Sequence, residues 1–143
     1  MNAKEYLGRI KALDQEINRK LDRATALKAL ALKVTSAWGG EHVSGSGNQD
    51  KLGDTIAKII DLERKIDNAV DKFVDKKAEV RAVIEKVKNP DQLELLLKIY
   101  IHYQSLEKVA CEMGYTYRNA CYIHGRALQT VEAILAERKV DHG

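Results

Sequence analysis

The sequence predicts an all-α protein: a long antiparallel helical hairpin, or coiled-coil arm, followed by a trihelical helix-turn-helix domain. Three observations carry this. Apolar residues recur three and four apart over two stretches of more than thirty residues each. The chain has a single Pro and only 6% aromatic residues, too few for a β-rich fold. Beyond residue 88 the pattern breaks into shorter helical segments, each opened by a capping residue. Residues 1–88 are thus expected to form the arm, with a Gly/Ser-rich loop at 37–49, and residues 89–143 the C-terminal domain.

The first helix is expected over 3–36. Leu7, Ile10, Leu13, Ile17, Leu21, Ala24, Leu27, Ala31 and Val34 make one apolar stripe, with charges in most of the gaps. It stops at "SAWGGEHVSGSGNQD", residues 36–50, where four of fifteen residues are Gly and three are Ser. Trp38, the one large apolar residue there, is expected to cap the end of the hairpin. A second helix runs from about Asp50 to Val87. Leu52, Ile56, Ile59, Ile66, Val70, Phe73, Val80, Ile84 and Val87 continue the alternation, and Glu63 and Lys77 interrupt it. Such a helix is about 57 Å long at 1.5 Å per residue, too long for a compact ball of this size. It therefore pairs antiparallel with the first. The polar seam positions set the register or leave room for a second chain.

"KNPD", residues 88–91, stops one helix and starts another: Asn89 is an N-cap and Pro90 fits the first helical position. The third helix, about 90–102, is apolar on most sides and reads as a core element. A fourth follows at about 105–113 with Ser105 as its cap, and a fifth at about 117–138 with Thr116 as its cap.

Composition narrows the function. Residues 1–88 hold 18 Lys/Arg and 14 Asp/Glu, and residues 89–143 hold 6 and 7, so a nucleic-acid role must rest on the placement of charge and not on its total. Cys111 and Cys121 lack zinc spacing and read as small buried hydrophobes in a reducing compartment. The four histidines are scattered. No nucleophile–base pair, carboxylate pair, phosphate loop or metal cluster is evident, so neither an enzyme, a cofactor nor a small-molecule substrate is expected. The N-terminus is charged and no apolar run suits a bilayer, which leads to an expected cytoplasmic protein without a membrane partner.

Residues 106–125 satisfy the helix-turn-helix pattern. Ala110 is the small residue that lets the second helix cross closely, and Gly114 supplies a turn of positive φ. Val109, Met113, Ala120 and Ile123 supply the apolar contacts. No acid lies between Glu112 and Glu132, although acids make up about one residue in seven of the chain. If Ala120, Ile123, Ala127 and Leu128 face the core, Tyr117, Arg118, Cys121, Tyr122 and Arg126 face out. Arg118 and Tyr122 are then placed for base edges in the major groove, and Lys108, His124 and Arg126 for phosphates. Backbone N–H groups near Thr116, at the helix start beside Asn119, can hold another phosphate.

"SLEKVACEMGYTYRNACYIHGRALQTVEAIL" resembles region four of bacterial sigma factors, with Val109-Ala110, Gly114, Thr116 and Ala127-Leu128 at the family's marker positions. Together with "SGSGNQDKLGDTIAKIIDLERKID", it makes nearly the whole chain similar to phage and prophage sigma-region-four-like regulators of the ArpU/RinA late-gene-activator type. The resemblance implies a DNA-binding activator at phage late promoters that touches bacterial RNA polymerase, with Arg118, Cys121, Tyr122 and Arg126 facing bases. Cys121 and Tyr122 stand where sigma factors usually carry polar readers. With so few cations per motif, one copy should bind double-stranded DNA weakly, so a homodimer is expected. Two other readings compete: a small terminase-like packaging protein, which would form a ring, and a helical partner-binding protein without DNA affinity.

Overall fold

The computed structural model describes residues 2–38 and 46–142, with side chains described for 2–34 and 50–140. It is all-helical, with no strand among the described residues. In order come α1 (Ala3–Trp38), α2 (Ser46–Glu85), α3 (Pro90–Leu96), a π-helical turn (Leu97–Ile101), α4 (Leu106–Met113) and α5 (Tyr117–His142). The helix expected from residue 50 begins earlier, so Ser46–Gln49 of the Gly/Ser-rich segment are helical. The side chain of Trp38, and with it the expected hairpin cap, lies outside the described residues, as do residues 39–45. The chain divides into two compact units, Asp14–Lys72 and Met1–Leu13 with Phe73–Gly143.

In the unit Asp14–Lys72, α1 and α2 run antiparallel. Lys28 pairs with Glu63 at 3.0 Å, and the Glu16 carboxyl, held below its ordinary value first by the Lys20 hydrogen bond, is lowered slightly further by Lys72, so one helix rises as the other falls. Ala24, Leu62 and Ile66 are buried together, with Leu27 packed against them. The register differs from the sequence-based expectation. On α2 the inward row is Thr55, Ile59, Leu62, Ile66 and Ala69; Ile56 and Val70 are exposed. Glu63 therefore does not interrupt the seam but lies one residue outside it. On α1 Leu21 is 45% exposed, and half-buried Lys20 takes its place in the inward row. Packing one row of a 3.6-residue helix against a partner leaves the adjacent row, 100° away, in solvent.

The other unit holds the larger core. Ala3, Leu7 and Ile10 from α1 meet Val80, Val83 and Ile84 from the end of α2 and Val87 just beyond it, together with Leu96, Ile101, Ala127 and Val131. The ends of both long helices thus share a core with residues 89–143. A polar network sits on this core. The Tyr6 hydroxyl donates to Glu79 Oε2 at 2.9 Å, Lys76 donates to the same oxygen at 2.7 Å, and Arg138 donates to Glu79 Oε1 at 3.2 Å. Burial, then the Glu79 carboxylate, pushes the Tyr6 hydroxyl up to about 12, while the Lys76 hydrogen bond holds the Glu79 carboxyl below its ordinary value.

α3 is short and buried on two adjacent sides through Leu95 and Leu96. The Asn89 side chain accepts from the N–H groups of Asp91 and Gln92, and Pro90 opens the helix as expected. The single helix expected over 90–102 instead widens after Leu96. His102 N–H reaches the Leu97 carbonyl at 3.1 Å, five residues back. Tyr103 then takes φ 57, a left-handed conformation that redirects the chain towards α4.

Candidate nucleic-acid interface

Local chemistry fixes the turn between α4 and α5. Ser105 Oγ accepts from the Lys108 N–H at 3.2 Å and caps α4. At the other end Gly114 takes φ 73; its N–H bonds the Cys111 carbonyl and the Tyr115 N–H bonds the Ala110 carbonyl at 2.8 Å. This is the paired hydrogen bonding of a Schellman closure, which favours glycine at the left-handed position. Two residues later Thr116 Oγ1 accepts from the Asn119 N–H at 3.1 Å and opens α5. α5 packs on both α3 and α4. Val109, Ala110 and Ala120 are buried on these helices, so the small residues stand where the backbones approach closely.

α5 has two faces. Ala120, Ala127 and Val131 are fully buried along one stripe. Tyr117, Arg118, Asn119, Cys121, Tyr122 and Arg126 are all exposed, Tyr122 at 64%. Arg118, Tyr122 and Arg126 stand four residues apart in a ladder about 12 Å long. The Arg126 guanidinium lies 5.8 Å from the centre of the Tyr122 ring, a cation–π stack that holds both side chains along the helix. A cleft of about 220 Å³ opens beside them, lined by Tyr122, Ile123, Arg126, Asn89, Asp91 and Gln92. At the start of α5 the Asn119 N–H is taken by Thr116 Oγ1, while the N–H groups of exposed Tyr117 and Arg118 have no carbonyl one turn earlier in the helix.

Charge around this face is uneven. Among the described residues neither Arg118, Arg126 nor Lys108 is in an ion pair. Glu112 and Asp91, on neighbouring elements, have partners of their own. Lys98 donates to Glu112 at 2.8 Å and holds its carboxyl below the ordinary range. Asp91 accepts from the Tyr115 hydroxyl at 2.7 Å. Tyr117 is raised, first by a hydrogen bond with Cys121, with Glu107 adding a smaller push.

Two expectations need correction. His124 does not face out for a phosphate. It is half-buried, its Nε2 is 2.8 Å from the Tyr100 hydroxyl, and the two rings stack at 5.8 Å. Burial pushes the imidazole below its ordinary pKa and so favours the neutral ring. Burial also pushes the Tyr100 hydroxyl up to about 12. The cysteines are not buried hydrophobes: both Cys111 and Cys121 are exposed. Sequence reasoning also missed Lys98 as the partner that neutralises Glu112, a contact across fourteen residues that no local pattern encodes. No group of residues suited to a metal ion occurs among the described residues.

A family model described as "Protein of unknown function (DUF1492)" matches residues 33–133, which run from the end of α1 through most of α5. No curated protein and no solved structure matches the chain.

Proposed function

We propose that this chain, which belongs to the DUF1492 family, is a sequence-specific regulator of transcription that binds double-stranded DNA. In this reading α4 and α5 act as a helix-turn-helix, residues 89–143 as the DNA-binding domain, and the paired long helices as an arm. The observation that carries the proposal is the exposed ladder Arg118, Tyr122 and Arg126. It lies opposite the buried stripe of α5, follows the left-handed Gly114 turn, and carries no paired acid among the described residues. A helix enters the major groove, about 12 Å wide, by its N-terminal half. Arg118 then reads a base edge through two guanidinium hydrogen bonds, with Tyr122 beside it, while Arg126, Lys108 and the N–H groups of Tyr117 and Arg118 after Thr116 hold phosphates. Tyr117, Asn119 and Cys121 border the same contact.

The resemblance to phage late-gene activators extends this to an activator that contacts bacterial RNA polymerase. Few cations per copy imply modest affinity, and so two copies on paired half-sites about 34–36 Å apart. Salt dependence tests the contact. Two phosphates neutralised per copy give a slope of log K against log salt of about −2, and two copies about −4. Arg126→Ala and Lys108→Ala should each flatten it by about one unit per copy. Fluorescence anisotropy with a labelled duplex measures this; a slope unchanged in both variants refutes the assigned contacts.

A further inference from the structure

α2 carries two heptad rows within Asp14–Lys72. The inner row is Thr55, Ile59, Leu62, Ile66 and Ala69, spaced four, three, four and three. The next residue round the helix repeats the spacing: Ile56, Ile60, Glu63, Asp67 and Val70. On α1 the inner row Ile17, Lys20, Ala24, Leu27 and Ala31 has the same companion: Asn18, Leu21, Thr25, Lys28 and Leu32. In an antiparallel pair, stepping one residue forward on each helix turns both rows to the same flank. The Lys28–Glu63 ion pair, at 3.0 Å, joins members of the two outer rows and so fixes them on one flank. That flank exposes Leu21 at 45%, Leu32 at 69%, Ile56 at 44%, Ile60 at 54% and Val70 at 37%. Apolar residues scattered singly on a surface are ordinary, but a second heptad row is the pattern by which helices pack.

We infer that a second copy of this chain docks on this flank, with Leu21, Leu32, Ile56, Ile60 and Val70 packing across a two-fold axis near Lys28 and Glu63. Charge complementarity selects a second copy. The apolar groups lie on both sides of the ion pair: Leu32, Ile56 and Ile60 towards one end, Leu21 and Val70 towards the other. A two-fold parallel to the helices lays each α1 on the partner's α2, so that each Lys28 meets a Glu63, Leu32 meets the Ile56–Ile60 end and Leu21 meets Val70. Ile56 to Val70 spans about 21 Å, and a two-helix width is about 20 Å, so the flat area is about 400 Å² per copy. That is below the roughly 800 Å² per partner of a standard interface. The dimer is therefore weak and concentration-dependent, and paired half-sites reinforce it. The inference rests on the two-copy reading above and names the surface that serves it.

Sedimentation of the full chain from 1 to 100 μM tests it. The wild type should pass from monomer to dimer in this range. Ile60→Glu and Leu32→Lys should stay monomeric with unchanged helicity, since both side chains are exposed. Lys28→Glu alone should weaken the dimer at least tenfold, and Lys28→Glu with Glu63→Lys should restore it. Leu30→Lys, an exposed position outside the outer row of α1, should have no effect. A wild type that is monomeric at 100 μM, one that forms a ring of eight or more, or an Ile60→Glu that still dimerises overturns the inference. Anisotropy on a single half-site separates the two proposals. Ile60→Glu should bind a half-site as the wild type does and lose only the gain from a paired site. A dimer without DNA affinity would sink the regulator and leave the surface standing.

Discussion

Ala110→Leu tests the close crossing of α4 and α5. Ala110 is 3% exposed and follows Val109, which is fully buried. α4 is closed at both ends, by Ser105 and by the Gly114 turn, so it has little freedom to move aside. Three added carbons must push α4 from its neighbours or force an unfavourable rotamer, at a cost of about 1–3 kcal/mol. Unfolding entropy of about 2.1 cal/mol/K per residue gives about 0.3 kcal/mol/K for a chain of this length. The melting temperature should therefore fall by about 3–10 °C. Cys111→Leu makes a change of similar size on an exposed position and should stay within about 0.5 kcal/mol of the wild type. Circular dichroism at 222 nm on heating, with urea titration as a second measure, compares the three proteins. If Ala110→Leu melts with Cys111→Leu, the helices do not approach as closely as described, and α5 is not held by this corner.

Two other predictions concern the same domain. A Cβ at Gly114 would meet no atom within 4 Å, but φ is +73, so Gly114→Ala should cost about 1–2 kcal/mol through backbone strain alone. Gly114→Asn should cost less in a urea titration, because Asn tolerates the left-handed region. His124 has a folded pKa below its unfolded value of about 6.5, so the unfolded chain takes up a proton that the fold resists. The stability this contributes is complete above about pH 6.5 and is lost as pH falls from there towards the folded pKa. His124→Gln should flatten the fall in urea midpoint between pH 7.5 and 5.5, and an equal fall in both proteins would show that His124 does not cause it.

What could be read from the sequence was what single residues decide locally. Asn89, Ser105 and Thr116 cap helices because a side-chain oxygen reaches an N–H two or three residues on, and Gly114 closes α4 because it tolerates positive φ. The outward face of α5 followed from helical angle once Ala120 and Ala127 were taken inward. Register on the long helices did not follow, for a definite reason. Ile59 and Ile60, and Ala69 and Val70, are adjacent, so two rows both look apolar and the bulkier residues favour the wrong one. Small Thr55 and Ala69 pack inward, where the helices are close. His124 was misplaced because its partner, Tyr100, lies 24 residues away on another element. The π-helical turn at Leu97–Ile101 had no signal, since that stretch is apolar on every side. The exposed cysteines show residue type yielding to helical position.

The most direct test of the DNA-binding reading is selection of bound fragments from a random genomic DNA pool, with the wild type and Arg118→Ala in parallel. Arg118 is exposed and in no ion pair among the described residues, so its loss should leave the fold intact. The account predicts that the wild type enriches one sequence motif and that Arg118→Ala loses it, with about 1–3 kcal/mol less affinity for the selected site. A motif retained unchanged by Arg118→Ala, or no enrichment by the wild type, would contradict it.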